Sequence, residues 1–247
     1  MNDLAERLLD RLTETDHGQK FPTVRPRDAA TMIIIDRSTT PAKVLLGRRH
    51  HGHKFMPGKF VFPGGRVEPL DRRMCVASPL DPGIETRLLL HTPRPSADKA
   101  RAFALAAIRE TFEETGLMLG TPQKESVASP GGQWDAFAAT HIAPDLAAVH
   151  FVARAITPPG RTKRFDTRFF AVDAGAIAMR QEGVVGPDTE LTELTWHPIS
   201  EASRLDMASI TAAILDELAA RIAAGFSHDL PVPFYRMANR KRVRDML

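Results

Sequence analysis

The chain predicts an α/β fold, a mixed β-sheet sandwiched between helices. Two observations carry this: short apolar strand patterns recur along most of its length with helical patterns set between them, and a long amphipathic helix follows the last strand. At 247 residues, 43% of them apolar, the chain can bury one large core.

The elements follow in order. Residues 3–15 read as a short helix with Leu4, Leu8, Leu9 and Leu12 on one side, followed by a polar link punctuated by proline. Residues 29–36, with Met32, Ile33, Ile34 and Ile35, read as a buried strand, and 43–47 as its neighbour after a turn at Pro41. Residues 60–62 run extended into Pro63, Gly64 and Gly65. From 71 to 99 four prolines weaken the pattern, which reads as an inserted surface segment. Residues 101–115 predict a helix that stops at Gly116. A short helix is expected near 134–140, strands at 150–156, 168–172 and 193–198, and helices at 200–203 and 210–224. The division this suggests is an N-terminal helix and linker (1–26), one domain (27–205, with the insertion at 72–100), and a C-terminal helix with a basic tail packed on that domain (206–247).

Charge and cysteine content narrow the function classes. The 33 Lys plus Arg against 30 Asp plus Glu leave a net charge of +3, too little for a nucleic-acid coat, while small polyanions stay open as ligands. Cys75 is alone, so neither an internal disulfide nor a cysteine-rich zinc site is available. With neither a signal-peptide pattern at the start nor an apolar run of membrane-span length, no membrane is expected and cytoplasm is the default.

The chemistry concentrates in residues 109–117, Arg-Glu-Thr-Phe-Glu-Glu-Thr-Gly-Leu. On a helix Glu110, Glu113 and Glu114 share one face, and Leu105, Ile108 and Phe112 fall on the opposite one. Three clustered carboxylates repel, so either water screens them as an ordinary acidic face or a hard divalent cation, Mg2+ or Mn2+, balances them. Upstream, residues 62–68 form a Phe-Pro-Gly-Gly turn that lets backbone approach a ligand closely.

Together the turn and the helix resemble the Nudix box, in which a glycine, five residues and an acid precede the Arg-Glu helix. The chain is thereby identified as a member of the Nudix hydrolase family, with the Nudix fold as its expected architecture. Three departures stand out: Asp71 occupies the place of the box's first glutamate, Thr111 that of an aliphatic residue, and 37 residues separate Asp71 from Arg109 in place of a short spacer. The resemblance implies metal-assisted hydrolysis of a nucleoside-linked diphosphate. Glu110, Glu113 and Glu114 would be metal ligands, Gly65 a carbonyl ligand and Arg109 a partner that fixes a carboxylate. A further acid is expected from a late loop, where Glu190 is better spaced from Trp196 than Glu193.

Residues 45–49 and 55–59, leading into the turn, are similar to the approach in coenzyme A diphosphatases. The long insertion and the Arg-Glu-Thr-Phe-Glu-Glu helix resemble the peroxisomal-type subgroup. This implies hydrolysis of coenzyme A or acyl-CoA to adenosine 3′,5′-bisphosphate and a 4′-phosphopantetheine product. Phosphate-binding candidates are Arg48, Arg49, Lys54 and Lys59, with Arg164 and Arg168 from a second basic stretch that equally reads as a charged strand edge. His50, His51 and His53 lack the partners of a zinc site. Arg240, Lys241, Arg242 and Arg244 read as solvated. ADP-ribose, a dinucleotide or an RNA cap remain alternative substrates, as does a nucleotide-sensing or binding module without strong catalysis. A basic RNA-binding protein is a further reading, and pairing into a homodimer stays open.

Overall fold

The computed structural model describes residues 6–10, 12, 21, 22, 24–53 and 56–247. In chain order these form β1 (Arg27–Asp36), β2 (Lys43–Arg49), β3 (Phe60–Val61), β4 (Gly64–Arg66), a 3-10 turn (Pro69–Arg73), α1 (Pro82–Leu89), α2 (Ala97–Thr115), β5 (Leu117–Leu119), β6 (Thr121–Pro122), α3 (Trp134–Ala139) and β7 (Ile142–Ala143). Then come β8 (His150–Ile156), β9 (Phe165–Asp173), β10 (Ile177–Arg180), β11 (Leu191–Pro198), α4 (Ile199–Ala202), α5 (Ser209–Ala223), β12 (Pro233–Ala238) and β13 (Lys241–Met246). Leu4 and Lys54 lie outside the described residues.

The main sheet runs β11-β2-β1-β9-β8-β12-β13, with β3 paired to β2 and β4 to β1. It mixes parallel and antiparallel pairs, as expected. Strand β1 is its axis. Side chains alternate across a strand, so Ala30, Met32 and Ile34 enter the core shared with α2, while Ile33 and Ile35 enter the core shared with α5. Leu8 and Leu12 close the second core.

One edge of β1 pairs in parallel with β9 from Arg27↔Phe165 to Ile35↔Asp173. The other edge is divided, its end pairing with β2 through Ile35↔Val44 and its beginning with β4 through Ala30↔Gly65 and Thr31↔Gly64. That fork holds the Gly-Gly turn against the middle of the sheet. Helix α2 lies over it, capped by the Ser96 hydroxyl, which accepts from Lys99 N at 3.2 Å, and ended by Gly116 in the left-handed region at φ 73. Its small residues Ala100, Ala104 and Ala107 are fully buried and allow close approach to the sheet.

Two sequence expectations need correction. Residues 72–100 are not a loose surface segment, since Met74, Leu80, Ile84 and Leu88 are buried in the first core. Pro82, taken for a breaker, instead stands at the first turn of α1, where proline fits a helix, and the Asp81 carboxylate caps it by accepting from Gly83 N at 2.8 Å and Ile84 N at 3.1 Å.

The basic tail is likewise not simply solvated. Strands β12 and β13 form a hairpin that joins the sheet beside β8. Arg244 there donates to Glu217 of α5 at 2.7 and 2.9 Å, and the Tyr235 hydroxyl donates to the same carboxylate.

His150 at the start of β8 packs on Phe226 with ring centroids 4.1 Å apart, and its Nε2 lies 3.2 Å from that of His228. Burial, helped by the charges of His228, Arg221 and Arg37, lowers its pKa to about 4; Asp173 opposes them. Between pH 6.5 and 4 the unfolded chain therefore binds a proton that the folded chain does not. This contribution to stability is present above pH 6.5 and is lost on acidification. Thermal unfolding followed from pH 7 to 4 is expected to show a shallower acid-side loss for His150→Leu than for the parent.

Candidate active site

Arg109, in the penultimate turn of α2, is 3% exposed and organises the site. Its Nε donates to Asp71 Oδ1 at 2.8 Å, one terminal nitrogen to the Arg66 carbonyl at 2.8 Å, and the other to Glu110 and Glu113 at 2.9 Å each. One guanidinium thus ties the helix, the glycine turn and the acid after it. Asp71, with no exposed surface, also accepts from Glu68 N at 2.7 Å and from the Trp134 indole at 3.2 Å. Its shorter side chain, the first departure from the box, is fully hydrogen-bonded. The second departure is also satisfied: the buried Thr111 hydroxyl donates to Ala107 O at 2.7 Å.

The carboxylates crowd the turn. A Cβ on Gly65 would lie 2.4 Å from the Glu110 carboxyl carbon, so a side chain there would push that carboxylate from its place. Gly64 N lies 3.4 Å from Glu114 Oε2. Burial lifts the Glu110 pKa to about 7; Arg109 pulls it down, and Glu113 and Asp71 add to the rise. Glu114 is pushed well above the usual carboxylate range, first by burial and then by the charges of Glu190 and Glu110, with Arg49 and the Gly64 amide opposing.

Glu190 is therefore a neighbour of Glu114, although the two are 76 positions apart, and Arg49 forms an ion pair with it. Glu193 turns to Arg48 at 3.2 Å. The register explains the difference, because a bulge lies between Leu191 and Glu193 where β11 pairs with β2.

The donor set suits a hard divalent cation. It is made of carboxylate oxygens crowded at a turn where a Cβ has no room, and burial works against their charge. Among the described residues no group of three or more His, Cys, Asp or Glu side chains closes into a ready-made cage. The like charges spread apart, onto Arg109 and the Gly64 amide. Magnesium keeps much of its water shell and needs only one or two carboxylates, so this arrangement fits it. The His50 ring accepts from Gly52 N at 2.9 Å, a turn contact.

The basic candidates divide. Arg49 reaches the carboxylates through Glu190. Arg48 lies over the Phe60 ring at 4.8 Å, and Lys59 pairs with Asp206 at 2.5 Å. Arg164 donates to the carbonyls of Thr157 and Val24. Arg168 is not a ligand group: it is fully buried, bonded to Asp28 at 2.8 Å and Thr92 at 3.1 Å, with Phe103 3.8 Å beneath it. Its side chain alternates into the first core, where an unpaired cation would be costly. Sequence reading did not anticipate Trp134 as a partner of Asp71 or Arg49 as a partner of Glu190. The first has no sequence signal, and only the strand pairing of β2 with β11 exposes the second.

A mixed sheet between helical layers, with a carboxylate helix above a forked glycine turn, defines a Nudix-type sandwich. The solved Nudix hydrolase from Alicyclobacillus acidocaldarius shares it, at a TM-score of 0.64 and 25% identity over 84% of this chain and 97% of that one. No family model matches the chain. Among curated proteins it is 32% identical over 127 residues to the acyl-coenzyme A diphosphatase of Xenopus laevis, spanning 44% of this chain and 33% of the relative. It is 26% identical over 209 residues to the human acyl-coenzyme A diphosphatase, spanning 65% and 54% respectively. The chain thus spans between a third and about half of the curated relatives it matches. With the fold and the site in hand, the chain is similar in both sequence and fold to members of the Nudix hydrolase family. Within that family its similarity is to coenzyme A diphosphatases.

Asp71→Asn leaves the buried Arg109 short of its main counter-charge. It is expected to cost about 3 kcal/mol in denaturant unfolding, against under about 1 kcal/mol for Glu113→Gln, whose side chain is 28% exposed.

Proposed function

We propose that the chain hydrolyses the diphosphate of coenzyme A or an acyl-CoA, giving adenosine 3′,5′-bisphosphate and the corresponding 4′-phosphopantetheine, with Mg2+ or Mn2+ as cofactor. The observation that carries this reading is the crowding of Glu110 and Glu114 at the Gly64–Gly65 turn, with the charge of Glu190 acting on Glu114. A divalent cation there would neutralise charge on the diphosphate and make its bound water a better nucleophile.

This chain's own residues do the rest. Glu110, Glu113 and Glu114, with the Gly65 backbone, would hold the cation, and Arg109 fixes the rotamers of the first two. Glu190, whose charge acts on Glu114, would supply the further acid that meets the cation or the attacking water. Arg49 restrains Glu190 and offers a cation toward phosphate. The fit of the insertion and of residues 45–59 to coenzyme A diphosphatases, together with the curated relatives of that name, supports coenzyme A over other nucleoside diphosphates. The ligand is a small molecule, and the chain would act as a soluble, cytoplasm-type enzyme; no described helix is long and apolar enough to cross a membrane.

Incubation with coenzyme A and magnesium, products separated by chromatography, should yield the two named products. Cleavage of ADP-ribose or a dinucleoside polyphosphate with coenzyme A left intact would replace the substrate. Glu114→Gln is expected to lower kcat by orders of magnitude while metal-free stability is kept or raised, because a buried charge is removed. Unchanged turnover in that variant would withdraw the metal-ligand role.

A further inference from the structure

We propose that Trp134 is a positioning residue of the cation site, its indole fixing Asp71 and, through Asp71 and Arg109, the rotamers of Glu110 and Glu113. This role rests on the reading of the carboxylates as a cation site. An ionised aspartate offers about four acceptor positions, and protein donors fill those of Asp71. Its Oδ1 accepts from Arg109 Nε at 2.8 Å and from the Trp134 indole at 3.2 Å. Its Oδ2 accepts from Glu68 N at 2.7 Å and from a terminal nitrogen of Arg109 at 3.3 Å. Asp71 has no exposed surface, so solvent offers no ready replacement for a donor that is lost.

The indole is the contact that arrives from outside the split motif, and α3 brings it together with a second grip. The Phe137 ring stands 5.0 Å from that of Trp134 and 5.4 Å from that of Phe112, which lies between Glu110 and Glu113 in α2. All three rings are buried. The chain flanking α3 is fastened to the stretch that follows Asp71. There the Cys75 thiol donates to the Ala128 carbonyl at 3.2 Å, and Ala77 N donates to the Pro144 carbonyl at 2.8 Å. Asp71 and the glutamate helix are thus both held by the one short helix.

Loss of the indole N–H leaves one acceptor of a buried anion unmet, which is costly. Turning Asp71, or drawing the guanidinium further onto it, relieves that cost. Either movement takes Arg109 away from Glu110 and Glu113, each of which it holds at 2.9 Å. Contacts that orient metal ligands in this way are worth roughly 10- to 100-fold in metal affinity or activity.

Trp134 and Trp196 are the chain's two tryptophans, so full-length Trp196→Phe protein serves as the reference. In it Trp134 is replaced by the sulfur isostere benzothienylalanine, which keeps the ring shape and lacks the N–H. Mn2+ binding is read from the paramagnetic resonance of the free ion. The dissociation constant is expected to rise about tenfold, and a rise below about threefold overturns the proposal, whatever the metal-free unfolding temperature does. Should the isostere fail to fold, Trp134→Phe is read by the same threshold. In the reference protein, Mg2+ is expected to shift the Trp134 emission as it displaces Mn2+, because the ion acts on the glutamates that share Arg109 with Asp71. Emission that stays constant through that displacement also overturns the role. Mn2+ binding with coenzyme A left intact would remove the substrate reading and leave this role standing; a reference protein that binds no Mn2+ would remove both.

Discussion

The guanidinium of Arg109 is the constraint on which the site depends. It sits almost entirely out of water and meets Asp71, Glu110, Glu113 and the Arg66 carbonyl. Burying a cation is tolerated only where its donors are answered, and here the answers come from α2, the glycine turn and the 3-10 turn after it. The same contacts that make the burial possible also align the carboxylates. Stability and the geometry of the carboxylates are therefore hard to separate at this residue, and easier to separate at Glu114, whose hydrogen bond is to the Gly64 amide.

Local physics made most of the scaffold readable. Strand β1 announced itself by its aliphatic run, and α2 by three glutamates on one face and a glycine stop. Residues that contact across long intervals were less visible. Nothing in the residues around 134 says that an indole will reach Asp71, and the hairpin of β12 and β13 is rich in cations, so its alternation looked like a solvated tail. The proline-rich interval before α2 misled for a different reason: a proline at a helix start favours the helix, and composition alone does not reveal which position it holds. Arg168 looked like a phosphate ligand because it stands in a basic stretch with Arg161, Lys163 and Arg164, whereas strand alternation turns it inward.

The insertion between Asp71 and Arg109 shows how a motif can be split in sequence and still assemble in space. The chain may be long between two residues that an ion pair holds together, because loop-closure cost grows only slowly with length. Here the added length is spent on α1 and the start of α2, whose apolar residues join the first core. The insertion therefore lengthens the carboxylate helix backwards and gives it support, without displacing the glutamates at its end.

The hairpin that completes the sheet also decides how its far edge meets other molecules. An open strand edge exposes unpaired amides and carbonyls and invites a second chain to add to it. On β13, the last strand in the order, Lys241, Arg242 and Asp245 accompany those groups. A like edge brought alongside would meet the same dense charge, so the segment that extends the sheet also guards it against growing into an aggregate.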